Sequence, residues 1–175
     1  MSWWLTEPIR LVQTNLREID IDLDPAGFVA ELVDFSANVV LFNVGGIVAN
    51  YPTELEYHYP NPHLPIGRGD ILGEVIDRCH EAGIRFMARF DFSKVHESLA
   101  ARRPEWLYVS EAGTHNNYNG QVQACVSGGY QQEYCLKILS ETIARYRLDA
   151  VFFNMTGYQR DDYDRNYLGI CQCDA

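Results

Sequence analysis

The run Asp149-Ala-Val-Phe-Phe-Asn-Met-Thr-Gly-Tyr158 narrows the fold more than any other stretch of the chain. An apolar, aromatic segment breaks into Asn154, Thr156 and Gly157, so it reads as a buried strand with a polar end. Strands that are apolar on both faces belong to parallel sheets covered by helices. In such sheets, ligands bind beyond the carboxyl ends of the strands. The polar residues stand where that rule puts a binding site.

Upstream runs repeat the pattern. A first strand is expected over residues 9–16, with Leu11, Gln13 and Asn15 on one face and Arg10, Val12 and Thr14 on the other. Asp24 and Pro25 read as N-cap and first helical residue, followed by a stripe of Phe28, Val29, Leu32 and Val33 that ends near Phe35. A second strand, 38–44, runs into Gly45 and Gly46. Residues 47–69 carry Pro52, Pro60, Pro62 and Pro65 and show no period, as expected of a long functional loop. Asp70 caps a helix through Leu72, Val75, Ile76 and Cys79 to Ala82, and Gly83 stops it. The third strand is expected over 84–92, then a short helix over 94–102 capped by Ser93. Weak alternation at 106–109 and 121–126, around a turn-rich 113–120, predicts a hairpin or an ordered excursion. A helix over 130–146, with Tyr134, Ile138 and Ile143 toward the sheet, leads to the fourth strand at 150–155.

This alternation predicts an α/β fold with about four parallel strands and right-handed helical crossovers. The third strand separates an open sheet from a barrel. Ile84, Phe86, Ala88, Phe90 and Phe92 form one apolar face, and Arg85, Met87, Arg89 and Asp91 form the other. Arg89 and Asp91 would be costly under a helix layer but belong at the inward mouth of a barrel. The reading is therefore a partial (β/α)8, or TIM, barrel.

Composition limits the function classes. The 175 residues are 47% hydrophobic, enough for one globular domain. Acidic residues number 24 against 14 basic ones, a net charge of -10 that argues against nucleic acid as partner. No apolar run approaches the ~20 residues of a membrane helix, and no signal peptide is visible. Five irregularly spaced cysteines do not form a secreted disulfide framework, so a cytoplasmic setting is expected. Eleven tyrosines and three tryptophans in an acidic chain suit a neutral, polar ligand with apolar faces, such as a sugar.

Asn15, Asn43 and Asn154 end three of the strands, where amides can donate to and accept from sugar hydroxyls, or cap loops. Arg89 and Asp91 are either a site pair or an internal salt bridge. Lys94, His96 and His115 are acid/base or ligand candidates, for which a structural or solvated role is the stronger reading. His58 and His63 lack metal-type spacing. Trp106, Tyr118 and Tyr158 can stack on a sugar or fill core. Cys171 and Cys173 form a C-x-C pair, half of a tetrahedral zinc site, to which Cys125 adds a third thiol; Cys79 and Cys135 read as buried helix residues.

Four runs together resemble a known family: Arg89-Phe-Asp-Phe-Ser-Lys-Val-His96, Gln123-Ala-Cys125, Phe153-Asn-Met-Thr-Gly-Tyr158 and Gly169-Ile-Cys-Gln-Cys-Asp174. They resemble hypothetical glycoside hydrolases, (β/α)8 barrels similar to the β-galactosidases of glycoside hydrolase family 42. The resemblance covers nearly the whole chain, with residues 1–175 as the N-terminal half of a barrel. It implies carbohydrate as ligand and no cofactor for catalysis. Those β-galactosidases hold a structural zinc with four cysteines; Cys125, Cys171 and Cys173 match three, and the fourth would fall just beyond Ala175. They also end strand four in Asn-Glu, the Glu being the general acid/base, whereas Asn154 is followed here by Met155.

The resulting expectation is a carbohydrate-active mouth formed by Asn15, Asn43, Arg89, Asp91, His96, Asn154 and Tyr158. Asp91 is the catalytic candidate, Arg89 holds it, and Asn154 orients a sugar hydroxyl. Half a mouth is expected to be inactive alone, and its open sheet edges to favour pairing with another copy. Two other readings remain: a barrel that binds carbohydrate without cutting it, and a metal-dependent hydrolase using Asp91 with His96 or His115.

Overall fold

A computed structural model describes residues 3–162 and 164–175. Four parallel strands form the main sheet: β1 (Leu11–Gln13), β2 (Val39–Gly46), β3 (Arg85–Asp91) and, after the elements described below, β7 (Ala150–Asn154), in the spatial order β1-β2-β3-β7. The crossovers carry α1 (Pro25–Asp34), α2 (Ile71–Glu81) and α4 (Cys135–Arg145). Among the described residues, no helix is long and apolar enough to cross a membrane.

The helix starts follow from their caps. Asp24 accepts from the Ala26 and Gly27 amides at 3.2 and 3.1 Å, and Pro25 occupies the first helical position. Asp70 accepts from the Gly73 amide at 3.1 Å and from the Tyr146 hydroxyl at 2.5 Å, which ties the start of α2 to the end of α4. Gly83 ends the α2 turn at φ +74, in the left-handed region. Asp149, just ahead of β7, accepts from the Phe86 amide and bonds His80 Nε2, both at 2.8 Å, locking the last strand to β3 and α2.

Period-two alternation sorts the sheet into two faces. Val40, Phe42, Val44, Phe86, Ala88 and Phe90 are buried under the helices, each large side chain contributing about 1.5–3 kcal/mol. The opposite face rises in layers set by the register: Gln13, Leu41, Met87 and Ala150, then Asn43, Arg89 and Phe152, then Gly46, Asp91 and Asn154. Polarity thus accumulates at the carboxyl ends of the strands.

Several expectations need correction. The fourth strand is not buried: Val151, Phe152 and Phe153 are 41%, 40% and 41% exposed, because β7 is the sheet edge and no described strand pairs with its outer side. The helix expected from Ser93 begins as strand β4 (Lys94–His96), and only α3 (Glu97–Ala100) is helical, with His96 rather than Ser93 as its N-cap. β4 takes the edge of a second sheet beside β6 (Gln121–Gln123), which pairs in turn with β5 (Asn117–Tyr118). The hairpin is therefore Asn117–Tyr118 with Gln121–Gln123, while 106–109 contributes a single bridge, Leu107 to Ala124. The last helix opens with a π-helical turn, Tyr130–Tyr134, and Ile143 faces solvent instead of the sheet. The π turn rotates Tyr130 inward, where its hydroxyl donates to the Gly46 carbonyl at 2.8 Å.

Candidate functional site

A cavity of about 890 Å³ opens beyond the carboxyl ends of β1, β2 and β3. Asn15 and Asn43 reach it from the first two strands, Arg89 and Asp91 from the third. The long loop supplies Ile47, Val48, Asn50 and His63, and the β5–β6 hairpin supplies Tyr118 and Gln121.

Asp91 is held on both oxygens. Oδ1 accepts from the Ser93 amide at 3.0 Å and the Ser93 hydroxyl at 2.5 Å, and Oδ2 accepts from Asn154 Nδ2 at 2.8 Å. Its partners are thus the turn that follows β3 and the neighbouring strand. The expected Arg89–Asp91 salt bridge does not form. Two residues on one strand face lie a full pleat repeat apart, and Ser93 and Asn154 satisfy the carboxylate first. Arg89 turns to Asn43 instead. With the Asn43 amide donating to Thr14 Oγ1 and to the Thr14 carbonyl, both at 3.1 Å, its Oδ1 accepts from Arg89 Nη1 at 2.6 Å.

The loop of residues 47–69 is fixed over the site by two polar chains. In the first, Asn50 Nδ2 donates to the Asn43 carbonyl at 3.0 Å, and Asn61 Nδ2 donates to Asn50 Oδ1 at 2.8 Å. The second runs through His58, which is 1% exposed. Its Nε2 accepts from the Gly46 amide at 3.2 Å, so the proton sits on Nδ1 and is donated to the Tyr51 hydroxyl at 3.3 Å. Tyr51 donates onward to Glu141 Oε2 at 2.6 Å. Burial pushes the His58 imidazole down to about 4, against a smaller opposing pull from Glu141. His58 is therefore a neutral spacer between β2 and α4 and not an acid/base group.

The remaining expected residues divide. Asn154 joins the site through Asp91, and Tyr118, one of three candidate stacking aromatics, lines the cavity. Trp106 is core. His96 and Tyr158 do not line the cavity. His96 stacks on Tyr59 at 3.6 Å between ring centres and accepts the Ser98 amide through Nδ1; Tyr158 is 72% exposed beyond β7. His115 bonds the Tyr108 carbonyl at 3.0 Å, and Lys94 is buried on β4. Neither meets Asp91 in the cavity. Gln121, Asn50 and the π-turn Tyr130 carried no signal in the sequence. Their roles depend on the second sheet and the loop closing over β2.

Cys125, Cys171 and Cys173 come together from segments far apart in the chain, with all three sulfurs within 4.8 Å and Cys125 and Cys173 at 3.4 Å. Burial, with Cys173 close by, pushes the Cys125 thiol up to about 11. Burial acts the same way on Cys171, but amide donors from Val109 at 3.3 Å and Cys173 at 3.5 Å, together with the Cys173 and Cys125 thiols, outweigh it and hold that thiol below its ordinary value. Three soft sulfur donors at this spacing fit three corners of a tetrahedral zinc site. Among the described residues, this is the one grouping of three or more His, Cys, Asp or Glu side chains with metal-ligand spacing.

The profile of one family, described as hypothetical glycosyl hydrolase 6, matches residues 24–155, from the cap of α1 through the end of β7. The chain belongs to the hypothetical glycosyl hydrolase 6 family. Solved structures place that family's fold among glycosidase barrels. An α-L-fucosidase isoenzyme 2 from Paenibacillus thiaminolyticus is similar with a TM-score of 0.73 and 21% identity, over 96% of this chain and 25% of the fucosidase. A hypothetical protein from Ruminiclostridium thermocellum gives 0.65 and 13%, over 85% of this chain and 77% of the other. A family 36 α-galactosidase from Geobacillus stearothermophilus gives 0.55 and 15%, over 81% and 20%. This member of the hypothetical glycosyl hydrolase 6 family therefore spans about a quarter of the fucosidase's length. Comparison with curated proteins gives no match. At these identities the solved structures bear on the fold alone.

Proposed function

We propose that the chain forms a carbohydrate-binding mouth of a glycoside-hydrolase-like barrel, with Asp91 as its acid/base or nucleophilic carboxylate. The observation that carries this reading is the Asp91–Ser93–Asn154 cluster beside a large polar cavity, at the strand ends where barrel chemistry sits. Three donors fix both carboxylate oxygens, so Asp91 meets a substrate in one orientation. Asn15 lines the cavity with an amide suited to sugar hydroxyls, Asn43 positions Arg89 beside it, and Tyr118 offers an aromatic face. Carbohydrate as substrate class fits the family and the neighbours, whose names include a fucosidase and galactosidases.

Retaining hydrolysis uses two carboxyl groups roughly 5–5.5 Å apart. Asp91 supplies one; Glu18 is the other carboxylate that lines the cavity. Assayed in the whole protein on a panel of aryl glycosides, Asp91→Asn is expected to reduce cleavage at least ~100-fold with the fold intact, the usual scale for a positioned acid or base. Unchanged cleavage would remove Asp91 from the chemistry. A second reading, binding without cleavage, is favoured by Met155, which follows Asn154 where the family 42 β-galactosidases carry their acid/base Glu. It predicts sugar binding by the wild type and cleavage of no glycoside. The metal-dependent reading has no support at Asp91, since His96 and His115 are engaged elsewhere.

The relation to the family 42 β-galactosidases enters through the thiols. Cys125, Cys171 and Cys173 would hold a structural zinc, which would cross-link the final segment to the strand-four side of the barrel. Metal analysis of purified protein should then find zinc, and a strong chelator should lower the melting temperature of the wild type but not of Cys171→Ser. Metal-free protein with a chelator-insensitive melting temperature would contradict it.

A further inference from the structure

Among the described residues, Arg89 lines the cavity as a cation without a counter-ion. Arg17, also at the rim, pairs with Asp20 at 2.8 Å. Arg89 forms no ion pair among the described residues; it bonds the neutral Asn43, and its buried Nε meets no hydrogen-bond partner at all. Nε has thus lost water without gaining a partner, and the guanidinium faces the cavity without a matching charge, an arrangement that leaves it with unspent affinity for an anion. Asp91, the nearest carboxylate along the strand, has both oxygens engaged by Ser93 and Asn154. Asn43 holds the Nη1 side in place from below, so the group is pre-oriented rather than free to swing away.

From this we propose that the sugar taken by the mouth is anionic, a uronic acid whose carboxylate meets the Nη edge of Arg89. The inference rests on the carbohydrate reading above and adds its charge class. A planar guanidinium matches a carboxylate in shape as well as sign, and such charge-assisted bonds are about twice as strong as neutral ones. The chain as a whole carries a net charge of -10, so long-range steering opposes an acidic ligand. The preference for a charged sugar must then come from this one local contact, and that preference should depend on Arg89 almost entirely.

The test is calorimetric titration of the 175-residue chain with methyl glucuronide and methyl galacturonide beside the matching neutral glucoside and galactoside. The expected result is at least tenfold tighter binding of a uronide than of its neutral counterpart. Arg89→Gln should abolish that preference, and Arg89→Lys should keep part of it. Acetate alone, run as a control, should compete only weakly, since the sugar supplies the other contacts. Neutral glycosides binding as well as uronides would overturn the anionic assignment while leaving the carbohydrate reading standing. Binding of neither class would sink both. A uronide preference that survives in folded Arg89→Gln would move the anion site elsewhere. The wild-type comparison decides the charge class even if a variant fails to fold.

Discussion

Replacing Gly46 with alanine is expected to destabilise the chain by at least ~3 kcal/mol, combining left-handed backbone strain with overpacking against a neighbouring strand. Gly46 has φ +103, and a Cβ there would stand 2.1 Å from the Asp91 carbonyl oxygen, 2.6 Å from its carbon and 2.7 Å from its nitrogen. No side-chain rotation relieves a clash with backbone. The contact exists because β2 and β3 close tightly just where the register shifts between Asn43 and Gly45. The same closure lets the Ile47 amide donate to the Asp91 carbonyl at 2.9 Å. Gly67 provides the control. It also has positive φ, +78, but a Cβ there meets nothing within 4 Å. Gly67→Ala should therefore cost only about 1 kcal/mol, the backbone part alone. Urea unfolding of both variants separates the terms, and equal losses would mean that the close approach to Asp91 is not a constraint.

The second large effect is a pH dependence traced to His58. Its folded value of about 4 lies below the ordinary 6.5, so the unfolded chain binds the proton more readily. Stability from this group is complete above about pH 6.5 and is lost as pH falls toward 4, a total on the order of 3 kcal/mol. Protonation would also turn Nε2 into a donor facing the Gly46 amide, breaking the link from β2 through Tyr51 to Glu141. His58→Gln retains a neutral donor and acceptor in the same place but cannot titrate. At pH 7 it should cost roughly 1 kcal/mol, the scale of a hydrogen bond made less well. Between pH 6.5 and 4.5 its stability should fall less than that of the wild type. Parallel slopes for the two proteins would show that His58 is not the group responsible.

Much of the sheet could be read from the residues. Asp24 and Asp70 announced their helices because a side-chain cap is a local device, and the Arg85–Asp91 strand showed its two faces through strict alternation. What failed was non-local. Val151 to Phe153 look buried because they are apolar, yet whether an edge strand is covered depends on what lies beside it. Lys94–His96 became a strand because Gln121–Gln123, far along the chain, offered it a ladder.

The candidate site divides the same way. Asp91 and Asn154 were placed together by strand-end logic, and the register pairs them directly. The partner of Arg89 was misread because sequence spacing does not say which of two donors reaches a carboxylate first. His96 was misread because its ring found Tyr59 in the long loop, a contact no period encodes. The three thiols are an intermediate case: their identity was visible, and their convergence required the final segment to fold back onto Val109.

The measurement that bears most directly on the carbohydrate mouth is a sugar titration of the chain followed by nuclear magnetic resonance of its asparagine side-chain amides. Signals of Asn15, Asn43 and Asn154 should shift together and saturate, while those of Asn117 and Asn166, outside the cavity, stay fixed. Shifts confined to other residues, or none at saturating neutral and acidic sugars, would contradict a carbohydrate site at Asp91.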